Sequence, residues 1–287
     1  MIPDPREAVR STIGALFSGD RFPEEQYDEP LGDEGLLGSD SVAWRVHADA
    51  SMFVGGIAAL MLQSLHPRAA AVVAGSSNFR ERPLHRLSRT GSFVAATTYA
   101  ATPVAEAIID RVRRVHDRIP GASEPDLLTW IHVAEVTSFL AAYRRYHPGL
   151  VFAGDIDRYL DETAIVAERL GAVDVPRSAK AVRAYYEQVR PELGASEHSD
   201  DLMAFLHRPL SRNPAARAVY ELFLQAAEAQ LPGWARRLYG MRLPPGADRL
   251  VIRPATASVL AALRLALGPS PVVAASRARA AAVAVAA

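Results

Sequence analysis

Apolar positions along this chain recur three and four residues apart, in stretches closed by proline, glycine or asparagine, and no run alternates as a strand would. The pattern predicts an all-α chain, a single globular domain of about ten helices. A first amphipathic helix is expected over 5–17, followed by a Pro/Gly/acid-rich loop over 21–38. Ser39-Asp40-Ser41 supplies a cap for a long helix from 42 to 64, within which Arg45 and Asp49 stand four apart as a candidate ion pair. His66-Pro67 ends or restarts that helix, since proline disfavours helical backbone at the residue before it. Pro83, Pro103, Pro125 and Pro214 open further helices, and the last clear one covers 256–267. Three segments result: residues 1–40, an N-terminal helix and loop; 41–268, the helical body; and 269–287, an Ala/Arg-rich tail open to disorder.

Charge and composition then remove whole classes of function. Lys+Arg and Asp+Glu both number 32, so the chain has no basic footprint for nucleic acid. Cysteine is absent, which excludes disulfides, thiolate-ligated metals and iron–sulfur clusters. The uncharged run 50–65 is shorter than the about 20 residues a membrane span needs and reads as a buried helix. With no basic-then-apolar leader at the start, the expectation is a cytoplasmic protein without stable membrane insertion. Phosphate loops, dinucleotide fingerprints, nucleophile elbows and His-Glu-x-x-His are all missing.

What remains is a set of polar residues inside apolar helices. Ala105, Ile109, Val112 and His116 share one helical face, so His116 points inward at a helix end. An inward imidazole is either a hydrogen-bonded structural histidine or an axial metal donor, and spacing leaves both open. His132 aligns with Leu128, Val136 and Phe139, and Glu135 lies one turn on, either as a structural pair or as ligands of a non-haem metal. Arg86 and Thr90 share a face, and His66 sits at a helix junction from which a side chain can enter a cavity. Gly55-Gly56 in mid-helix permits close approach of a neighbouring helix or a flat cofactor. The alternative to a ligand site is a buried polar network of His66, Arg86 and His116.

Four blocks carry a resemblance: Gln63-Ser64-Leu65-His66-Pro67, Arg86-Leu87-Ser88-Arg89-Thr90, Val115-His116-Asp117-Arg118-Ile119-Pro120-Gly121 and Trp130-Ile131-His132. With Asp155-x-Asp157-x-Tyr159 and Pro232-x-Trp234 they resemble, in order from 43 to 239, the MpaB-type oxygenase family that includes the latex-clearing rubber oxygenases. The resemblance implies a globin-like helical core holding haem b, an oxidoreductase activity and a hydrophobic small-molecule substrate. It implies His116 as the iron ligand, Arg86 and Thr90 on the opposite side of the pocket with His66 near them, and His132 among the cofactor-binding residues. The rubber oxygenases carry a lysine before the threonine and a distal glutamate. This chain has Arg89 at the first position and His66-Pro67-Arg68 in the region of the second, so rubber cleavage itself is not expected.

Overall fold

Proline and capping side chains open most of the helices. Ser41, Ser178 and Asn213 accept from the free backbone N–H groups of the first turns they precede. The computed structural model describes residue 22 and residues 26–76, 83–149, 151–208 and 213–282, with the backbone alone at 76 and 83–88. Among them run α1 (Val42–His47), α2 (Met52–Gln63), α3 (Pro67–Ser76), α4 (Pro83–Tyr99), α5 (Thr102–His116) and α6 (Pro125–Tyr146). These are followed by α7 (Ala153–Leu170), α8 (Ala179–Val189), α9 (Glu197–Leu206), α10 (Pro214–Gln230), α11 (Gly233–Leu238), α12 (Arg253–Leu267) and α13 (Pro271–Ala281). No strand occurs among the described residues, and the helix expected over 5–17 lies outside them.

The single helix expected over 42–64 is in fact two. Asp49 stops the first: its carboxylate accepts from the Ser51 N–H at 2.9 Å, and it receives both arms of the Arg264 guanidinium at 2.9 and 2.8 Å. Arg45 turns away to Asp155 at 2.9 Å, so the expected Arg45–Asp49 pair is not formed. Two long-range carboxylate–guanidinium contacts thus replace one local contact, and the bidentate geometry at Asp49 fixes the break. At His66-Pro67 the chain turns as expected, with α2 and α3 bent by 105°.

The molecule is organised on α6, whose residues are buried along most of its length. Gly55 of α2 lies against it: a Cβ there would stand 3.1 Å from Phe139 Cα and 3.3 Å from Ala142 Cβ. Farther along, Gln63 donates to the Ile131 carbonyl and the Trp130 indole donates to the Gln63 carbonyl. The two helices are therefore antiparallel and in backbone contact, the close approach that a glycine permits. Gly56, next to it, meets nothing within 4 Å. One face of α6 (Leu127, Trp130, Ala134) joins a core with α2, α9, α10 and α12. The other (Val133, Val136, Phe139, Leu140, Tyr143) joins a second core with α1, α4 and α7.

Helices α4 and α5 form a hairpin closed at Tyr99–Thr102, with Ala96 packed on Ile108 and Phe93 and Val112 further out. At the C-terminus, α13 carries a buried arginine. Arg279 donates to the Tyr27 and Asp33 carbonyls at 2.9 Å and ties this helix to the segment before α1.

Candidate functional site

Two polar centres occupy the body of the protein. The first is the open end of the α4–α5 hairpin. From the Ala96–Ile108 contact, Thr90 lies six residues back along α4 and His116 eight residues on along α5, about 9 and 12 Å at 1.5 Å per residue. The antiparallel register therefore brings the Arg86-x-x-x-Thr90 motif and His116 to the same end. Thr90 is exposed there, while His116 is half-buried with its Nδ1 enclosed. The inward face expected for Ala105, Ile109, Val112 and His116 is present, grading from buried at Ala105 and Ile109 to half-buried at the helix end. Arg113, Arg114 and His116 share the last turn, where partial negative charge at the helix terminus favours cations. The Arg89 guanidinium sits over the ring of Phe22, 6.0 Å from the centroid, and Phe22 clusters with Ala96 and Ile108 of the hairpin. The side chain of Arg86 lies outside the described residues.

The second centre is internal and sits between α1, α4, α6 and α7. His47 Nδ1 is 2.8 Å from Thr98 Oγ1, and His47 Nε2 is 3.0 Å from the Tyr159 hydroxyl. Thr98 already donates its proton to the Val94 carbonyl at 2.6 Å, so its oxygen accepts from His47 Nδ1–H. His47 Nε2 is then the acceptor, and Tyr159 donates to it. The result is a directed chain, Tyr159 to His47 to Thr98 to a backbone carbonyl, with the Phe139 ring edge-on to the imidazole at 5.6 Å.

His132 and Glu135 line the same space from α6. Burial alone holds the His132 imidazole down at about 4 and pushes the Glu135 carboxyl up to about 7. Burial, and then the proximity of His132, holds His47 at about 3. Glu135 in turn helps to hold the Tyr159 phenol above its ordinary range, after burial. Neither His132 nor Glu135 makes a side-chain hydrogen bond to a described residue, so the expected His132–Glu135 pair is not hydrogen-bonded. Both keep some accessible surface although they are enclosed by the helical core. Deep side chains with accessible surface face an internal space. At neutral pH this centre holds two neutral imidazoles and a carboxyl close to its midpoint, so a proton gained or lost there is gained or lost by Glu135.

Thr98 lies eight residues beyond Thr90 on the same helix, so the two centres are about 12 Å apart along α4. His66 belongs to neither. It is buried at the α2–α3 bend, with its ring 6.0 Å from that of Trp130 and its Nε2 3.6 Å from Glu192. Burial outweighs Glu192 and holds its imidazole below the ordinary range. No described residue of α4 or α5 is among its polar or ring partners. On α6, Trp130 and His132 point to opposite sides, two residues or about 200° apart, so His66 and His132 face different cores.

His47 and Tyr159 did not stand out from the sequence as site residues. Their signal is a histidine at the end of one helix and a tyrosine in the Asp-x-Asp-x-Tyr stretch, joined only by the fold. Among the described residues no group of three or more His, Cys, Asp or Glu side chains is placed to hold a metal ion.

Neither a comparison with curated proteins nor one with solved structures gives a match. One family model does match, described as the catalytic domain of ER-bound oxygenase mpaB/B′ and rubber oxygenase. It covers residues 44–265, from the middle of α1 to the end of α12 and across both polar centres. The chain belongs to the mpaB/rubber oxygenase catalytic-domain family.

Proposed function

We propose that this chain is a haem b-dependent oxygenase acting on a hydrophobic small molecule, with the haem held at the open end of the α4–α5 hairpin. The observation that carries the reading is the register of that hairpin, which brings His116 and the Arg86-x-x-x-Thr90 motif to one end. The donor set fits the group. A porphyrin brings four nitrogens of its own and asks the protein for one imidazole, whereas a bare metal asks for three or more side chains. One inward imidazole on a rigid helix is what α5 offers. His116 would hold the iron, with the Arg86-x-x-x-Thr90 stretch of α4 at the same end of the hairpin.

When bound, haem supplies the oxygen-activating chemistry. The protein's own groups do the rest. The apolar faces of α4 and α5, with Phe93 and Val112 toward the open end, keep water from the site and favour an apolar substrate. Arg86 offers a permanent positive charge and Thr90 a hydroxyl to a polar oxygen atom nearby. Arg89 is engaged with Phe22, and a guanidinium is a poor metal donor, so it does not take the place of a lysine ligand. The internal centre supports acid–base work behind the site: Glu135 holds a proton on its carboxyl near neutral pH, and the Tyr159–His47–Thr98 chain passes hydrogen bonds in one direction.

The test is a pyridine-haemochrome spectrum of protein expressed with added haem precursor. The expected result is one haem b per chain, and a colourless wild-type protein overturns the proposal.

A further inference from the structure

Helix α12 is apolar on the face it buries and equally apolar on the face it presents to solvent. A helical turn at Asp248–Ile252 runs into it, so 248–267 is one rod of 20 residues with a mean hydropathy of 1.6 in its most apolar window, only 22% of which is buried. Ile252, Thr256, Leu260 and Leu263 face the core. At 100° per residue the exposed Leu250, Val251, Pro254, Ser258, Ala261, Ala262 and Leu265 fall within an arc of about 120° on the opposite side. Leu250, Val251 and Leu265 are 74%, 63% and 79% exposed, the large side chains of a surface that a water-facing helix fills with charge.

No charge lies within that arc, and Arg253 and Arg264 fall about 60° and 40° outside one of its edges. Between 232 and 270 the sequence carries six arginines and one acid, Asp248, in a chain that is balanced overall. Asp248 is taken by Arg145, and Arg264 by Asp49. Arg237, Arg242, Arg249 and Arg253 are exposed, and none forms an ion pair with a described residue. A long uncharged apolar strip, in a segment with four exposed arginines that pair with no described residue, matches one environment in particular, the phosphate and acyl boundary of an anionic bilayer.

We propose that 237–265 is a lipid-docking surface. The α12 rod lies flat on an anionic membrane, Leu250, Val251 and Leu265 enter the acyl boundary, and the four arginines engage lipid phosphates. This is peripheral docking by an already folded helix, independent of whether haem is bound.

The test is co-sedimentation of the full chain with phosphatidylcholine vesicles containing 30% phosphatidylglycerol, beside pure phosphatidylcholine vesicles. Binding to the anionic vesicles is expected to be at least tenfold tighter and to weaken with added salt. Leu250→Asp with Leu265→Asp, and separately Arg249→Glu with Arg253→Glu, are each expected to cut it at least tenfold with unchanged circular dichroism. The second pair keeps the test decisive should the first disturb folding. Absence of binding, equal binding to both vesicle types, or binding untouched by both pairs overturns the proposal. So does a dimer in light scattering that Leu250→Asp with Leu265→Asp dissociates, because a second copy would then cover the face.

Discussion

The two polar centres along α4 are built in opposite ways. At the hairpin end, an exposed Thr90 lies in the first half of α4 and a half-buried His116 is the last residue of α5. In the interior, His47, Thr98 and Tyr159 satisfy one another in a fixed order, while His132 and Glu135 beside them are enclosed and unpaired. The first centre is in part accessible to solvent. The second is bound up with folding, because His47, Thr98 and Tyr159 take one another as hydrogen-bond partners in place of water. A polar residue in an apolar helix is therefore not enough to identify a ligand site. What separates a site from a network is what the fold loses when its groups are removed.

The difference is sharpest in stability. His47→Ala leaves Tyr159 without its acceptor and opens a void beside Phe139, and is expected to cost roughly 2–4 kcal/mol in urea unfolding. Thr90→Val at the hairpin end is expected to stay within about 0.5 kcal/mol. Equal costs for the two would erase the distinction.

A second contrast is in pH. Glu135 is raised from 4.5 to about 7, so its neutral form is the one the fold favours; its contribution is complete below pH 4.5 and is lost as pH rises through about 7. His47 and His132 do the reverse: held at about 3 and about 4 against 6.5, their contribution is complete above pH 6.5 and is lost as pH falls through those values. Glu135→Gln removes only the alkaline loss. Its stability relative to wild type is expected to rise from pH 4.5 to pH 8 by roughly 1–3 kcal/mol. Denaturant midpoints measured across that range check it, and a flat difference would place Glu135 in water.

The smallest effect is expected at Arg89. Arg89→Lys keeps the charge beside the Phe22 ring and is expected to cost about 0.5 kcal/mol or less by thermal melting. A loss several times larger would mean that the hairpin end is as tightly networked as the interior.

Much of the fold was legible in the sequence because its signals are local. Proline at first turns, serine and asparagine caps and three-to-four spacing place most helices near their observed positions. The break at 48–51 was hidden because its cause is distant: Asp49 is held by Arg264, and Arg45 by Asp155, rather than by each other. The inward face of α5 and the Arg86-x-x-x-Thr90 face of α4 were readable one helix at a time, and the hairpin supplied only their register. The internal chain was not readable, since His47, Thr98 and Tyr159 come from three helices and no spacing links them. His66 looked like a pocket residue because it follows an apolar run, but its partners Trp130 and Glu192 are remote in sequence and belong to the other core.

The central claim is that the guest belongs to His116 rather than to the buried histidines. Its most direct test is haemin titration of the purified chain, followed by the Soret band, for wild type, His116→Ala and His132→Ala. Wild type and His132→Ala are expected to develop the band at one equivalent, and His116→Ala to leave the haemin spectrum unchanged. A band retained in His116→Ala and lost in His132→Ala would contradict the account and move the cofactor to the interior.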